Sequence, residues 1–212
     1  MWTMSTSSRG KRAYHHGDLE IALVQAAGKM LEKEGVEALM LREVARRAGV
    51  SHNAPYRHFS DREALLAALA VEGFERRGTA QRKAAEAGGL RAMGEAYVQF
   101  ALQNPQRFRL MFGGQLSIAR HARLREVATK TFAGLSGALA AQVPEAQGAR
   151  DASIAAWALV HGLAQLLLGD RIAAEAKHGR DDAAFVRDLL ATVRFASRTA
   201  SHVAVSTPQS SA

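Results

Sequence analysis

The stretch Leu39–Leu66, LMLREVARRAGVSHNAPYRHFSDREALL, restricts this chain more than any other part of it. It reads as two short helices joined by a tight glycine turn, followed at once by a capped third helix. The first, about Arg42 to Ala48, puts Val44, Ala45 and Ala48 on one side and Arg42, Arg46 and Arg47 on others. Gly49 suits a left-handed C-terminal cap, under which Val50 packs back. Ser51 is a good N-cap for a second helix ending near Phe59. Helix, short turn with Gly, helix is the plan that places a second helix in the DNA major groove.

The wheel of that second helix sharpens the reading. At about 100° per residue, Pro55 and Phe59 share an apolar face that packs inward. Asn53 and Arg57 point the opposite way, flanked by His52, Ala54, Tyr56 and His58. Asn pairs bidentately with adenine and Arg with guanine. A solvated helix in a three-helix core would carry the same residues, so the next segment matters. Ser60-Asp61-Arg62-Glu63 is a capping box leading into Leu65, Leu66 and Leu69. Arg62 in the first turn opposes the helix dipole, which a nearby anion such as phosphate would explain.

On these residues the chain resembles the tetracycline-repressor (TetR) family of transcription regulators, closely over about residues 15–77. The likeness rests on a first helix over Asp18–Gly35, on LREVARRAGVSHNAPYRHF, and on the DREALL start of a long connecting helix. It implies that Tyr56, His58 and Arg62 contact phosphates and that His52, Asn53, Ala54 and Arg57 face bases. Arg42 would reach a base or phosphate from the preceding helix. Met40 and Leu41 stand where the family often has Ser or Thr, which removes support for the usual cap and hydroxyl–phosphate contact.

With 48% hydrophobic residues, abundant Ala and Leu, and four Pro, the 212-residue chain is read as all-α, with a core large enough for one or two small domains. It has no Cys, which excludes disulfides and thiolate metal sites and suits a reducing cytoplasm. No apolar run approaching the ~20 residues of a bilayer span is expected, and MWTMSTSSRGKR lacks a signal-peptide core. The net charge of +8 is a poor guide to partners, because residues 1–75 hold 10 Lys+Arg and 10 Asp+Glu. What serves counterion release is local placement: Arg42, Arg46, Arg47, Arg57 and Arg62 against Glu43 and Asp61.

The expected organisation is a flexible basic arm over 1–16 and a DNA-binding domain over 17–77, with its helix-turn-helix at about 40–59. An effector-binding and dimerisation domain over 78–200 and a disordered tail over 201–212 follow. The connecting helix should run from Asp61 to about Lys83 and break at Ala84–Gly89. Further helices are read over Leu90–Gln103, over Pro105–Phe112 after the Asn104-Pro105 start signal, and over about Arg120–Gln142. Ala149–Leu168 is apolar nearly all round and should be buried on more than one side. A last helix, capped by Asp181 or Asp182, carries Phe185, Val186, Leu189, Leu190, Val193 and Ala196.

The family resemblance implies a homodimer formed through the last two helices, which suits two recognition helices reading a palindrome. The same helices would also serve as the core of a monomer. WALVHGLA and QNPQRFRLMFG are similar to one TetR subfamily, marked by Trp157, His161 and Gly162. Met93, Tyr97, Phe100, Phe108, Met111, Trp157 and His161 would line a pocket for a small, largely apolar effector that lowers DNA affinity. Residue by residue, an ordinary core is the simpler reading of that set. The resulting expectation is a ligand-responsive regulator, a repressor bound to a double-stranded DNA operator, with an activator of the same fold as alternative. No cofactor, metal site or membrane partner is expected, and no paired carboxylates, phosphate loop or thiol nucleophile support an enzyme. A sequence-tolerant packaging protein is disfavoured by the large Met-, Phe- and Trp-containing C-terminal region.

Overall fold

The computed structural model describes residues 16–142 and 146–194, with side chains over 19–142 and 147–194. The expected arm and tail therefore lie outside the described residues, save His16. Among the described residues every regular element is helical. The helices are α1 (His16–Glu34), α2 (Leu41–Arg47), α3 (Arg62–Gln103), α4 (Pro105–Phe112), α5 (Ala122–Ala140), α6 (Ala146–Leu168), α7 (Ala174–Lys177) and α8 (Asp182–Thr192). Short 3-10 turns cover Val36–Ala38, Pro55–Arg57 and Ile118–Arg120. Helix α1 begins at His16, so Asp18 lies inside it and not at its cap.

The chain divides into two compact units. The first takes residues up to Glu72 together with Gln106–Leu124, so α4 beyond Pro105 belongs with α1 and α2. Its core is Leu23, Ala27, Met30, Leu31, Leu39, Val44, Ala45, Phe59, Leu65, Leu69, Phe108 and Leu110, all buried. A carboxylate far away in sequence joins α4 to α1. Glu32 accepts from the backbone N–H groups of Gln106 (3.2 Å) and Arg107 (3.0 Å), satisfying donors that the start of α4 would otherwise leave open. Arg107, only 3% exposed, donates to Glu72 at 2.6 Å and to the Leu69 carbonyl at 3.3 Å. Gly28 leaves room for that guanidinium, since a Cβ there would collide with Arg107 Nη2.

In the second unit the long helix is less broken than its sequence suggests. Ala84–Ala87 stays helical, as expected of good helix formers, and the kink is confined to Gly88 (φ −148°, ψ 16°) and Gly89 (φ 67°, ψ −154°). Asn104 donates to the Phe100 carbonyl at 3.0 Å, and α4 starts at Pro105, as the Asn-Pro pair indicates. Asp181 is the α8 cap, accepting from Ala184 N–H at 2.7 Å.

Helix α6 corrects two expectations. Gln147–Leu168, 22 residues of mean hydropathy 1.4, is long and apolar enough by length and composition to cross a membrane. It is also not buried all round in the single chain. Ser153, Ala156, Val160, Leu163 and Ala164 are buried, whereas Ile154, Trp157 and Leu166 stand exposed at 57%, 37% and 44%. Ile154 and Leu166 are the large apolar side chains of this helix most open to solvent, since Trp157 also packs on Phe132 and His161.

Candidate nucleic-acid interface and effector cavity

Helix α2 starts from an extended Met40 with no side-chain cap, as the missing hydroxyl implies. It ends in a complete Schellman motif: Val50 N–H donates to the Ala45 carbonyl (3.0 Å), Gly49 N–H to Arg46 (3.2 Å), and Gly49 takes φ 70°. The segment after it is not the regular α-helix expected over 51–59. Ser51 O accepts from Ala54 N–H (2.9 Å), and only Pro55–Arg57 forms a 3-10 turn, closed by His58 N–H to Pro55 O at 2.9 Å, with Phe59 N–H reaching the same oxygen. The cause is Pro55. An α-helix capped at Ser51 would make its first bond from the N–H of residue 55, and proline has none.

The looser turn changes which side chains look outward. His52, Asn53, Tyr56 and Arg57 are exposed, and Tyr56 is 50% accessible. Ala54 is buried with Pro55 and Phe59, so it anchors the turn and does not face outward with the bases in mind. His58 also faces inward, its side chain only 11% exposed, with Nδ1 3.6 Å from Glu20 and Nε2 buried without a hydrogen-bond partner among the described residues. Arg62 has acceptors within the chain: Nε donates to the Leu39 carbonyl (2.9 Å) and Nη2 to that of Val36 (2.6 Å). A cation in the first turn of α3 thus needs no phosphate to explain it. Asp61, not Ser60, caps α3, accepting from Ala64 N–H at 2.8 Å, and Glu63 meets His121 at 3.0 Å.

Charge is also redistributed. Arg46 and Arg47 both bond Glu43, and Arg47 reaches Glu34 at 2.9 Å. The Arg46 hydrogen bond, then that of Arg47, holds the Glu43 carboxyl down at about 2. Arg42 and Arg57 are exposed and make no ion pair or side-chain hydrogen bond among the described residues. They are the cations on this face open to a new anion.

The seven pocket candidates do not converge. Phe108 and Met111 are core of the first unit. Met93, Tyr97, Phe100, Trp157 and His161 belong to the second. There Trp157 Nε1–H donates to Tyr97 Oη (3.3 Å), which is also hydrogen-bonded to His161 Nδ1 (2.9 Å). Burial, and then the nearby Arg77 charge, lowers the His161 pKa, which favours the neutral ring. Burial raises that of Tyr97. The sequence reading missed Arg77 and Gln81. Arg77 is 6% exposed, lies over the Phe74 and Tyr97 rings (5.4 and 4.8 Å to the centroids) and donates to Gln81 Oε1 at 2.8 Å. Their signal was position: Arg and Gln at 77 and 81 continue the helical stripe of Leu66, Ala70 and Phe74.

Three cavities open among the described residues of this second unit. One, about 480 Å³, is lined by Ala84, Ala92, Val98, Gln99, Leu102 and Val186 among others. A second, about 430 Å³, is lined by Gly88, Gly89, Leu90, Met93, Leu159 and Leu190 among others. A third, about 100 Å³, is lined by Phe74, Arg77, Tyr97, Thr131 and Trp157. Gln81, Leu135 and Val160 line both of the last two. Of the expected set only Met93 borders the 430 Å³ cavity, only Tyr97 and Trp157 the 100 Å³ one, and none the first.

A glycine-turned pair of short helical elements with an exposed polar face, joined by a long helix to a cavity-bearing helical unit, defines a helix-turn-helix regulator. Residues 23–69 match the model of bacterial regulatory proteins of the tetR family, and residues 90–193 that of the tetracyclin repressor-like C-terminal domain. The chain belongs to the tetracycline-repressor family, whose members are DNA-binding regulators and not enzymes. An HTH-type transcriptional regulator of Mycobacterium tuberculosis is 28% identical over 144 residues, 63% of this chain and 61% of that protein. The match thus spans less than two thirds of that curated relative. A solved structure of a protein of unknown function from Rhodococcus sp. RHA1 is 34% identical, covers 86% of this chain and 96% of its own, and superposes with a TM-score of 0.71. The structure of the regulatory protein SCO4313 is 26% identical over 86% of this chain and 100% of its own, with a TM-score of 0.67.

Proposed function

We propose that this protein is a cytoplasmic, homodimeric repressor that binds a palindromic DNA operator and is released by a small-molecule effector. The observation that carries the DNA reading is the exposed set His52, Asn53, Tyr56 and Arg57, held over buried Ala54, Pro55 and Phe59 and joined by Arg42. Asn53 and Arg57 supply base-edge contacts, while Tyr56, His52 and Arg42 serve the backbone or flanking bases. Arg62 and His58 act from behind this face: Arg62 fixes the Val36 and Leu39 carbonyls at the entrance to α2. On this reading DNA contact belongs to the first unit, and effector binding and dimerisation, expected over 78–200, to the second unit, which excludes Gln106–Leu124.

The dimer is supported by Ile154 and Leu166 of α6, large apolar side chains left 57% and 44% exposed in the single chain. The effector is supported by the 430 Å³ cavity, within the usual range for small-molecule sites. An effector that prefers one conformation of the α3 kink changes operator affinity by the same factor by which DNA changes effector affinity. In-vitro selection of bound duplexes tests the reading. A palindrome with half-sites about one helical turn apart is expected. Recovery of unrelated sequences with equal affinity at one salt concentration would overturn it in favour of a sequence-tolerant binder.

A further inference from the structure

The 430 Å³ cavity of the second unit is bordered by helix ends as well as by helix faces. Leu90, Met93, Leu135, Leu159, Val160 and Leu190 give it apolar walls, and Gly88 and Gly89 border it at the kink of α3. Gln142, just past the end of α5, and Arg194, just past the end of α8, lie on its polar edge. We infer that this cavity takes an uncharged ligand with an apolar body, whose polar end bonds the Gln142 amide. This inference rests on the reading of the second unit as an effector site. It names the charge class of the ligand and the residue that orients it.

The charges around the cavity are already answered. Among the described residues no carboxylate borders it, so a cationic ligand would meet no counter-charge and two guanidiniums, Arg91 and Arg194. An anion fares no better. Arg91 is held by Glu95 at 2.6 Å. Arg194 donates to the carbonyls of Ala191 (2.6 Å) and Val193 (2.9 Å), so its charge answers the negative end of α8. Thr192 Oγ1 donates to the Leu189 carbonyl (2.7 Å) and Val193 N–H to that of Leu190 (3.3 Å), which completes that end. The end of α5 brings a second negative pole to the same cavity at Gln142. The α3 kink brings none, because it joins the end of one helical segment to the start of the next. An anion would have to displace Glu95 or draw Arg194 off the α8 carbonyls, and then lie beside two helix C-termini. A charge buried without a ready partner is costly, and an uncharged molecule avoids that cost.

Gln142 is the polar side chain left for the ligand. The other amide in the wall, Gln81, is engaged at both ends: Oε1 accepts from Arg77 (2.8 Å) and Nε2 donates to the Met93 carbonyl (3.4 Å). Gln142 is exposed and makes no side-chain hydrogen bond among the described residues, while its backbone N–H closes the turn onto the Leu139 carbonyl at 2.9 Å. A carboxamide both donates and accepts, so it serves a hydroxyl, an amide or a ketone without pairing a charge. At Gly94 the cavity wall is closed. A Cβ there would come 3.2 Å from Leu190 Cδ1 and 3.3 Å from Val160 Cγ1, so α3 meets α6 and α8 closely at that point. The ligand's orientation follows: apolar body against Met93, Leu159 and Leu190, polar end at the mouth with Gln142.

The test is calorimetric titration of the full-length protein with probes that share one two-ring body and differ in charge: 1-naphthalenemethanol, 1-naphthoate and 1-naphthylmethylammonium. The alcohol should bind at least about tenfold tighter than either ion. Gln142→Leu should weaken the alcohol about threefold and leave 1-methylnaphthalene unchanged, because only the hydrogen bond is lost. Ala156→Leu, which fills the cavity, should abolish binding of the alcohol. If that variant does not fold, Leu159→Phe serves in its place. Ala96→Leu, in the 480 Å³ cavity, should bind the alcohol as the native protein does. Equal or tighter binding of either ion overturns the inference. So does alcohol binding that survives the cavity-filling variants, or that ignores Gln142→Leu. Failure of every probe to bind overturns it too. Each binder is then added to the selected operator complex. Cavity-dependent binding of the alcohol that leaves the complex intact keeps the ligand class and refutes the effector reading. Release by naphthoate alone keeps the effector reading and refutes the ligand class.

Discussion

Arg57 and Asn53 are exposed on a turn anchored by buried Ala54, Pro55 and Phe59, which makes them sensitive probes of base reading. Arg57→Ala should cost about 1–3 kcal/mol of specific binding and relax preference at one position per half-site. Fluorescence anisotropy against a panel of single-position operator variants checks this, and unchanged preference would remove Arg57 from base contact. The polar identity of this face was legible in sequence, because Asn53, Tyr56 and Arg57 lie between apolar anchors. The orientation of Ala54 and His58 was not. A 100° wheel assumes a continuous helix, and Pro55 denies the donor that would make one. Arg62 shows a second limit. In sequence its position against the helix dipole suggests an external anion, and only tertiary structure brings the carbonyls of Val36 and Leu39 to it.

At the scale of elements, α2 is tied by Glu43 to Arg46 and Arg47. The folded Glu43 pKa, about 2, is below its ordinary 4.5, so its stabilisation is present above the ordinary value and is lost as pH falls toward 2. Urea midpoints measured between pH 5 and pH 2 should therefore fall more steeply for the native protein than for Glu43→Gln. Parallel curves would show that the trio adds nothing. The kink in α3 gives a second element-scale prediction. Gly89 holds φ 67° and ψ −154°, a region essentially restricted to glycine, so Gly89→Ala should cost about 1–3 kcal/mol and lower the thermal midpoint. No neighbouring atom crowds that position, so the penalty would be backbone strain alone. An unchanged midpoint would mean that the helix can straighten there without loss.

For the whole molecule the exposed Ile154 and Leu166 of α6 carry the prediction. Sedimentation should give a dimer at micromolar concentration, and Ile154→Lys with Leu166→Lys should give a folded monomer of unchanged helicity. That double variant should bind a half-site weakly and the palindrome no better, because two linked recognition surfaces are lost. A dimer that survives both substitutions would place the interface elsewhere.

Helix content, the Gly49 cap, the Asn104-Pro105 start and the exposed polar residues Asn53, Tyr56 and Arg57 were determined by sequence alone. Each depends on residues within a turn or two of one another, where caps, glycine dihedrals and helical period operate. What tertiary structure decided depends on residues distant in sequence. Glu32 crosses 74 positions to the start of α4, and Arg107 meets Glu72 and Leu69. These bonds move α4 beyond Pro105 out of the expected effector region and into the first unit, taking Phe108 and Met111 with it. The pocket shifted for the same reason. An apolar stripe states that side chains will be buried, but whether they close on one another or enclose a void is settled only when helices from across the chain are packed together.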